Sequence, residues 1–414
     1  MHCYDDCLQG IESLDNKKTD VALVLQRMGE IQMNKLNKYV DATKLFIDSL
    51  EILKAAEDEG SERENIMSLV LLIAQAYALA KDYEHSLDYY EEHIKLIESN
   101  TPINEDLLAD SLNAMANIFA VMDKNPDYEL AIEKFTECLE MKKKLHGSDN
   151  EQAANILVQL GTVFEKAGHH DRATNSFSEA LRIYKMKQNR AASVKAYHAL
   201  AKLKASKAAE LDSLPERMAA IECYREALKI QRQILSLDGT ELALMLYEYA
   251  TLLCSIGEHM QALPLLEEAL RFQKSNTGLQ DGRVANILLR IADVHVQDEN
   301  YDASLVCLEQ VLFIQKSLDD DSDIDAGLCH YLLGVTYFAR GDFPKAIASY
   351  LESIDKKQLK FGRNSLQCAT LYNDLGRAYG KVNEFDKAID YIIQALRIRK
   401  TELGNNSLDY GHSV

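Results

Sequence analysis

The strongest constraint in this sequence is its self-similarity. Nine small residues, each following an apolar one, recur at Gly29, Ala74, Ala116, Gly161, Ala201, Ala250, Ala292, Gly334 and Gly376. Their successive spacings are 45, 42, 45, 40, 49, 42, 42 and 42. In six units a second small residue stands 12 positions after the anchor: Ser86, Ala173, Ala262, Ser304, Ala346 and Ala388. Ala42 sits 13 on, while Ala131 and Ala220 at 15 and 19 mark insertions. Four residues further comes a ring or large apolar side chain: Phe46, Tyr90, Phe135, Phe177, Tyr224, Leu266, Leu308, Tyr350 and Ile392. A period of this length marks a supersecondary unit that cannot bury its apolar face alone and must stack on copies of itself.

Within each unit, apolar residues at three- and four-residue spacing predict two amphipathic helices joined by a short turn. Gly or Ala at the anchor lets the second helix approach the first closely. The bulky residue is expected to fill the groove between successive hairpins. Only 5 Pro and 18 Gly in 414 residues leave little punctuation for a β-rich chain. The expected fold is an all-α right-handed superhelix of nine hairpins over residues 19–404. Residues 1–18 read as part of a truncated repeat and 405–414 as the start of a further repeat or a tail. On that expectation the chain is a fragment, or another segment covers ends that would otherwise self-associate.

Leu375, Gly376, Ala378 and Tyr379 followed by Phe385, Lys387, Ala388 and Ile389 resemble the tetratricopeptide repeat. So do Leu333, Gly334 and Tyr337 followed by Phe343, Pro344, Lys345 and Ala346. The common repeat has a shorter period than this one, and the longer units resemble the kinesin-light-chain type. No N-terminal coiled coil of the kind that joins a light chain to its motor is present, so the resemblance does not imply motor association.

Charge excludes some partners. The chain has 65 Asp and Glu against 46 Lys and Arg, a net charge of −19. Nonspecific binding to nucleic acid or to an anionic membrane needs clustered cations and is not expected. The start, Met1 to Asp6, has no basic or apolar leader region, and 8 cysteines are too few for a disulfide scaffold, so a cytoplasmic, reducing setting is expected.

No constellation for catalysis stands out: there is no glycine-rich phosphate loop, no nucleophile elbow and no zinc-protease motif. Neither cofactor nor metal is expected. Cys3 and Cys7 lack a second cysteine pair; the six later cysteines read as small core residues, and His169 and His170 as a solvated turn. The acidic run from Asp319 to Asp325 lacks the glycine and glutamate of a calcium loop and reads as a linker that caps the next helix.

In tetratricopeptide arrays the first helices line a concave groove, and the resemblance assigns five positions of each first helix to it. With the anchor as the eighth position, these are Asp110, Asn113 and Asn117 in the third repeat. They are Asn155, Val158, Thr162, Glu165 and Lys166 in the fourth, and Lys195, His198 and Lys202 in the fifth. The seventh contributes Asn286, Leu289 and Asp293, the eighth Tyr331, Val335 and Phe338, the ninth Asn373, Arg377 and Lys381. Asparagine amides both donate to and accept from an extended backbone, which suits peptide capture. A chaperone-tail carboxylate clamp is matched only at Asn117 and Lys195.

From Arg182 to Lys207 there are eight basic residues and no acid, leaving −27 on the rest of the chain. Such a belt would attract an acidic peptide, or else balance acids in the neighbouring repeats. An insertion between Ala205 and Pro215 either projects toward a partner or extends a helix. The sequence therefore reads as a noncatalytic scaffold holding a segment of a partner protein in its groove. The alternatives are a sensor or regulatory arm of a larger signalling enzyme, which an adjoining catalytic module would reveal, and a bare structural spacer.

Overall fold

The computed structural model describes residues 18–56, 63–122, 126–234, 239–318 and 324–403. Among these there are eighteen α-helices and no strand. The chain divides into two compact units, Met1–Lys207 and Ala208–Val414. In the first unit the helices pair as α1 (Lys18–Leu36) with α2 (Tyr39–Ala56), α3 (Arg63–Leu79) with α4 (Tyr83–Glu98), α5 (Glu105–Val121) with α6 (Tyr128–His146), and α7 (Glu151–Lys166) with α8 (His170–Met186). Next comes α9 (Arg190–Leu211), near whose end the division falls, and α10 (Leu214–Gln231) opens the second unit. There α11 (Gly239–Ser255) pairs with α12 (His259–Thr277), α13 (Gly282–Gln297) with α14 (Tyr301–Ser317), α15 (Ala326–Ala339) with α16 (Phe343–Phe361), and α17 (Leu366–Lys381) with α18 (Phe385–Leu403). Each unit is an α-solenoid whose paired helices, mostly 16 to 19 residues long, account for the 42-residue period.

The anchor sets the spacing of each hairpin. A Cβ built on Gly334 would stand 2.5 Å from the Tyr350 ring, and one on Gly29 2.5 Å from that of Phe46. On Gly161 it would meet Phe177 at 2.7 Å, and on Gly376 Ile392 at 2.7 Å. The large residue therefore rests on the anchor of its own hairpin, a closer contact than the sequence reading assigned it. Tyr350 also clusters with Cys368, Leu371 and Leu375 of the next first helix, so the inter-hairpin groove is filled as well. At the second small position, Ser86 donates to the Ala74 carbonyl at 2.7 Å, tying second helix to anchor.

Turn chemistry agrees with the spacing. Seven residues after the anchor, Lys81, Gly168, Gly257, Glu299, Gly341 and Asn383 adopt positive φ, ending the first helix. Asp82 and Asp342 then cap the second helix through the backbone N–H of His85 and Lys345. Between repeats, Asn150 accepts from Ala153 N at 2.7 Å, and Asp325 from Leu328 N at 2.8 Å. The cap expected in the acidic linker is thus Asp325, while residues 319–323 lie outside the described residues. So do Cys3 and Cys7 and both terminal segments, 1–17 and 404–414.

In the fifth repeat the insertion lengthens a helix: α9 runs 22 residues, and only Asp212 and Ser213 separate it from α10, with Pro215 in the first turn. Among the described residues no helix is long and apolar enough to cross a membrane.

Candidate functional site

The first-helix positions singled out in the sequence include exposed and half-buried polar side chains, and each unit treats them differently. In the first unit, Asn113 and Asn117 stand one turn apart on α5, and Asn117 donates to the Asn113 carbonyl at 2.8 Å. Asn155 is exposed on α7, and the Tyr184 hydroxyl of α8 donates to its amide oxygen at 2.6 Å. Burial, with Glu151 next, pushes the Tyr184 phenol up to about 12, so it remains a donor at neutral pH.

On α9, Lys195 and Lys202 are exposed and His198 is half-buried. Burial raises the Glu165 carboxyl, and Lys202 opposes that rise, which places the two side chains within electrostatic reach. The basic belt is partly balanced by nearby acids, of the same hairpin for Arg182 and of the preceding one for Lys207. Arg182 pairs with Asp149 and Glu179, and Lys207 meets Asp171 at 3.2 Å. The Lys185 ammonium lies over the Tyr197 ring, 4.8 Å from its centre. Neighbouring acids therefore balance Arg182 and Lys207 within the belt.

In the second unit a polar ladder climbs the first helices. Tyr247 of α11 hydrogen-bonds Arg290 of α13, and Arg290 reaches Asp293 at 3.4 Å. Burial opposes the Arg290 charge, but Tyr247 and Asp293 hold its pKa up. On α15, Tyr331 donates to Asp374 of α17 at 3.4 Å. Arg377 contacts Asp374 at 3.4 Å and stacks over Phe338, 5.3 Å from the ring centre. Burial, with the Asp374 carboxylate next, pushes the Tyr331 phenol up to about 12. Burial also lifts the Asp374 carboxyl above the usual range despite Arg377. The Arg377 side chain is 61% exposed and presents a positive edge beside the Phe338 ring.

Tyr331, Phe338 and Arg377 are therefore brought together, whereas Leu289, also assigned to the groove, is buried in the core. Asn373 is half-buried on α17. Asn286 lines a cavity of about 320 Å³ between α11 and α13. Sequence reasoning missed Arg290 and Asp374, each next to an assigned position, and Leu244 and Tyr247, the sixth repeat's own groove positions. Counting six and three residues back from Ala250 would have found the last two.

Nothing among the described residues gathers three His, Cys, Asp or Glu side chains as a metal would require. Cys138 and Cys329 are buried, and burial pushes their thiols up to about 11 and about 12, the behaviour of core residues. His169 stacks edge-on to Phe164 at the start of α8.

Three solved structures are similar to this chain. Apo RapI is similar at 16% identity, covering 92% of this chain and 99% of its own, with a TM-score of 0.59. The apo quorum sensor NprR from B. thuringiensis is similar at 14%, covering 94% and 99%, with a TM-score of 0.52. The tetratricopeptide-like repeats of a kinesin light chain from Podosopora anserina align at 19% identity over 52% of this chain and 97% of their own, with a TM-score of 0.40. At these identities the first two likenesses are of fold alone. No curated protein matches the sequence. The tetratricopeptide repeat family model matches residues 107–186, 283–358 and 328–401. The chain is a member of the tetratricopeptide-repeat family.

Proposed function

We propose that this chain is a noncatalytic scaffold that holds an extended segment of a partner protein along its first-helix faces. The observation that carries the reading is the surface chemistry of those faces. Asparagine amides recur along α5, α7, α13 and α17, exposed at Asn155 and half-buried at Asn113, Asn117, Asn286 and Asn373. Amides at repeat spacing match the alternating N–H and C=O of an extended backbone.

In the first unit the partner segment is acidic. Lys195 and Lys202 are exposed, His198 lies between them, and Lys202 acts electrostatically on the partly buried Glu165. The setting is a reducing cytoplasm, in keeping with free thiols at all six described cysteines. Ends not covered by another segment would pair with further copies.

The test is a display of random dodecapeptides, sorted by net charge and probed with wild type beside the double variant Lys195→Glu/Lys202→Glu. Wild type should enrich acidic peptides, and the double variant should weaken them about tenfold or more, increasingly so at low salt. Equal retention by both proteins would remove the acidic partner; no enrichment by wild type would remove peptide binding itself.

A further inference from the structure

The cavity between α11 and α13 has features of its own. Its walls are Ala243, Leu244 and Tyr247 of α11 and Ile287 of α13, with Asn286 and Gln273 supplying amides. Leu244 is 50% exposed, although Met245 and Leu246 beside it are buried in the core. It stands at the second position of the sixth repeat, as Asn286 does in the seventh, so the cavity opens on the face assigned above to ligand. At about 320 Å³ it is roughly twice the size of an apolar cavity that holds a benzene ring.

The chemistry narrows the occupant. Arg283, the cation at the cavity, is engaged by Asp281 through Nε at 3.1 Å and a terminal nitrogen at 3.0 Å. An acidic side chain would lose hydration against Leu244 and Ile287 and face Glu241, which also lines the cavity. A basic one would meet Glu241 but still bury its charge against that apolar wall. An apolar side chain releases water from that surface, while the amides match the flanking peptide groups.

We propose that this cavity anchors one large apolar side chain, of the leucine or phenylalanine class, from the peptide that the second unit binds. The inference rests on the groove reading above. It makes the second unit select by shape and hydrophobicity, whereas the first selects by charge.

The test titrates N-acetyl-leucinamide, N-acetyl-phenylalaninamide and their aspartate and lysine counterparts into the full chain, following the methyl resonances of Leu244 and Ile287. The two apolar probes should give saturable shifts and the charged probes none. Leu244→Asp, at a half-exposed position, should weaken the apolar probes at least tenfold with an unchanged melting temperature. Thr240→Trp, which fills the cavity from its edge, should do the same if the first variant is unstable. Silent apolar probes, or equal binding to both variants, would overturn the anchor even where the random peptides still bind. Saturable probes with no peptide retained by wild type would overturn both the anchor and the groove reading.

Discussion

Replacing Gly334 with alanine tests whether the anchor sets the spacing of each hairpin. The added Cβ would sit 2.5 Å from Cδ1 and Cε1 of Tyr350, nearly an ångström inside ordinary contact. Tyr350 is 2% exposed and packed against Cys368, Leu371 and Leu375, so the ring cannot swing aside without shifting α17. Overpacking of this kind costs about 1–3 kcal/mol. Alanine also gains about 1 kcal/mol of helix propensity, which would mask part of the loss. Gly380→Ala is the control, because that glycine lies in α17 and a Cβ there meets nothing within 4 Å. The propensity gain is no larger at Gly380, in the last turn of α17. The difference between the two variants is therefore a lower bound on the steric cost of about 1–3 kcal/mol. Repeat arrays often unfold in parts, so the readout is hydrogen exchange of the α15 and α16 amides alongside a urea melt. Tyr350→Leu should recover part of the loss in the Gly334→Ala background. Equal effects of the two alanines, with no coupling to Tyr350, would refute the anchor argument.

Lys142 is 3% exposed and bridges Asp106 at 2.7 Å and Asp110 at 2.6 Å, yet both acids are substantially exposed. Lys142→Met should therefore cost only about 1 kcal/mol in a urea melt, since the acids rehydrate, whereas Asp106→Asn with Asp110→Asn should cost about 3 kcal/mol by stranding a buried ammonium. His93 is fully buried, its Nδ1 bonded to Ser111 at 2.9 Å while Nε2 has no partner. Burial lowers its pKa, so the unfolded chain takes up the proton first. Stability should be complete above about pH 6.5 and fall as the pH drops below it. Thermal melts between pH 5 and 8 should show that slope, and His93→Gln should flatten it.

The period carried most of the fold into view. Gly29, Gly161, Gly334 and Gly376 could be found by counting because the anchor contact is local, made with a residue of the same hairpin. The turn after Lys166 was equally visible, since a positive φ at Gly168 follows from the need to end α7. Contacts between hairpins were another matter. Lys207 meets Asp171, and Asp374 meets Tyr331 across 43 residues, because of how one hairpin leans on the next, which no spacing records. The eight cations between Arg182 and Lys207 looked uniform in sequence, yet stacking supplies an acid, Asp171, to Lys207 from the preceding hairpin. The cavity beside Leu244 is likewise made by two hairpins together. Its residues are unremarkable one at a time.

The most direct measurement is the footprint of a bound peptide. Hydrogen exchange would be recorded for the full chain with and without a peptide taken from the random display. Protection should concentrate in first helices: α5, α7 and α9 for an acidic peptide, α11, α13, α15 and α17 for one carrying a large apolar residue. Protection confined to second helices such as α4, α6, α12 and α16 would contradict the account.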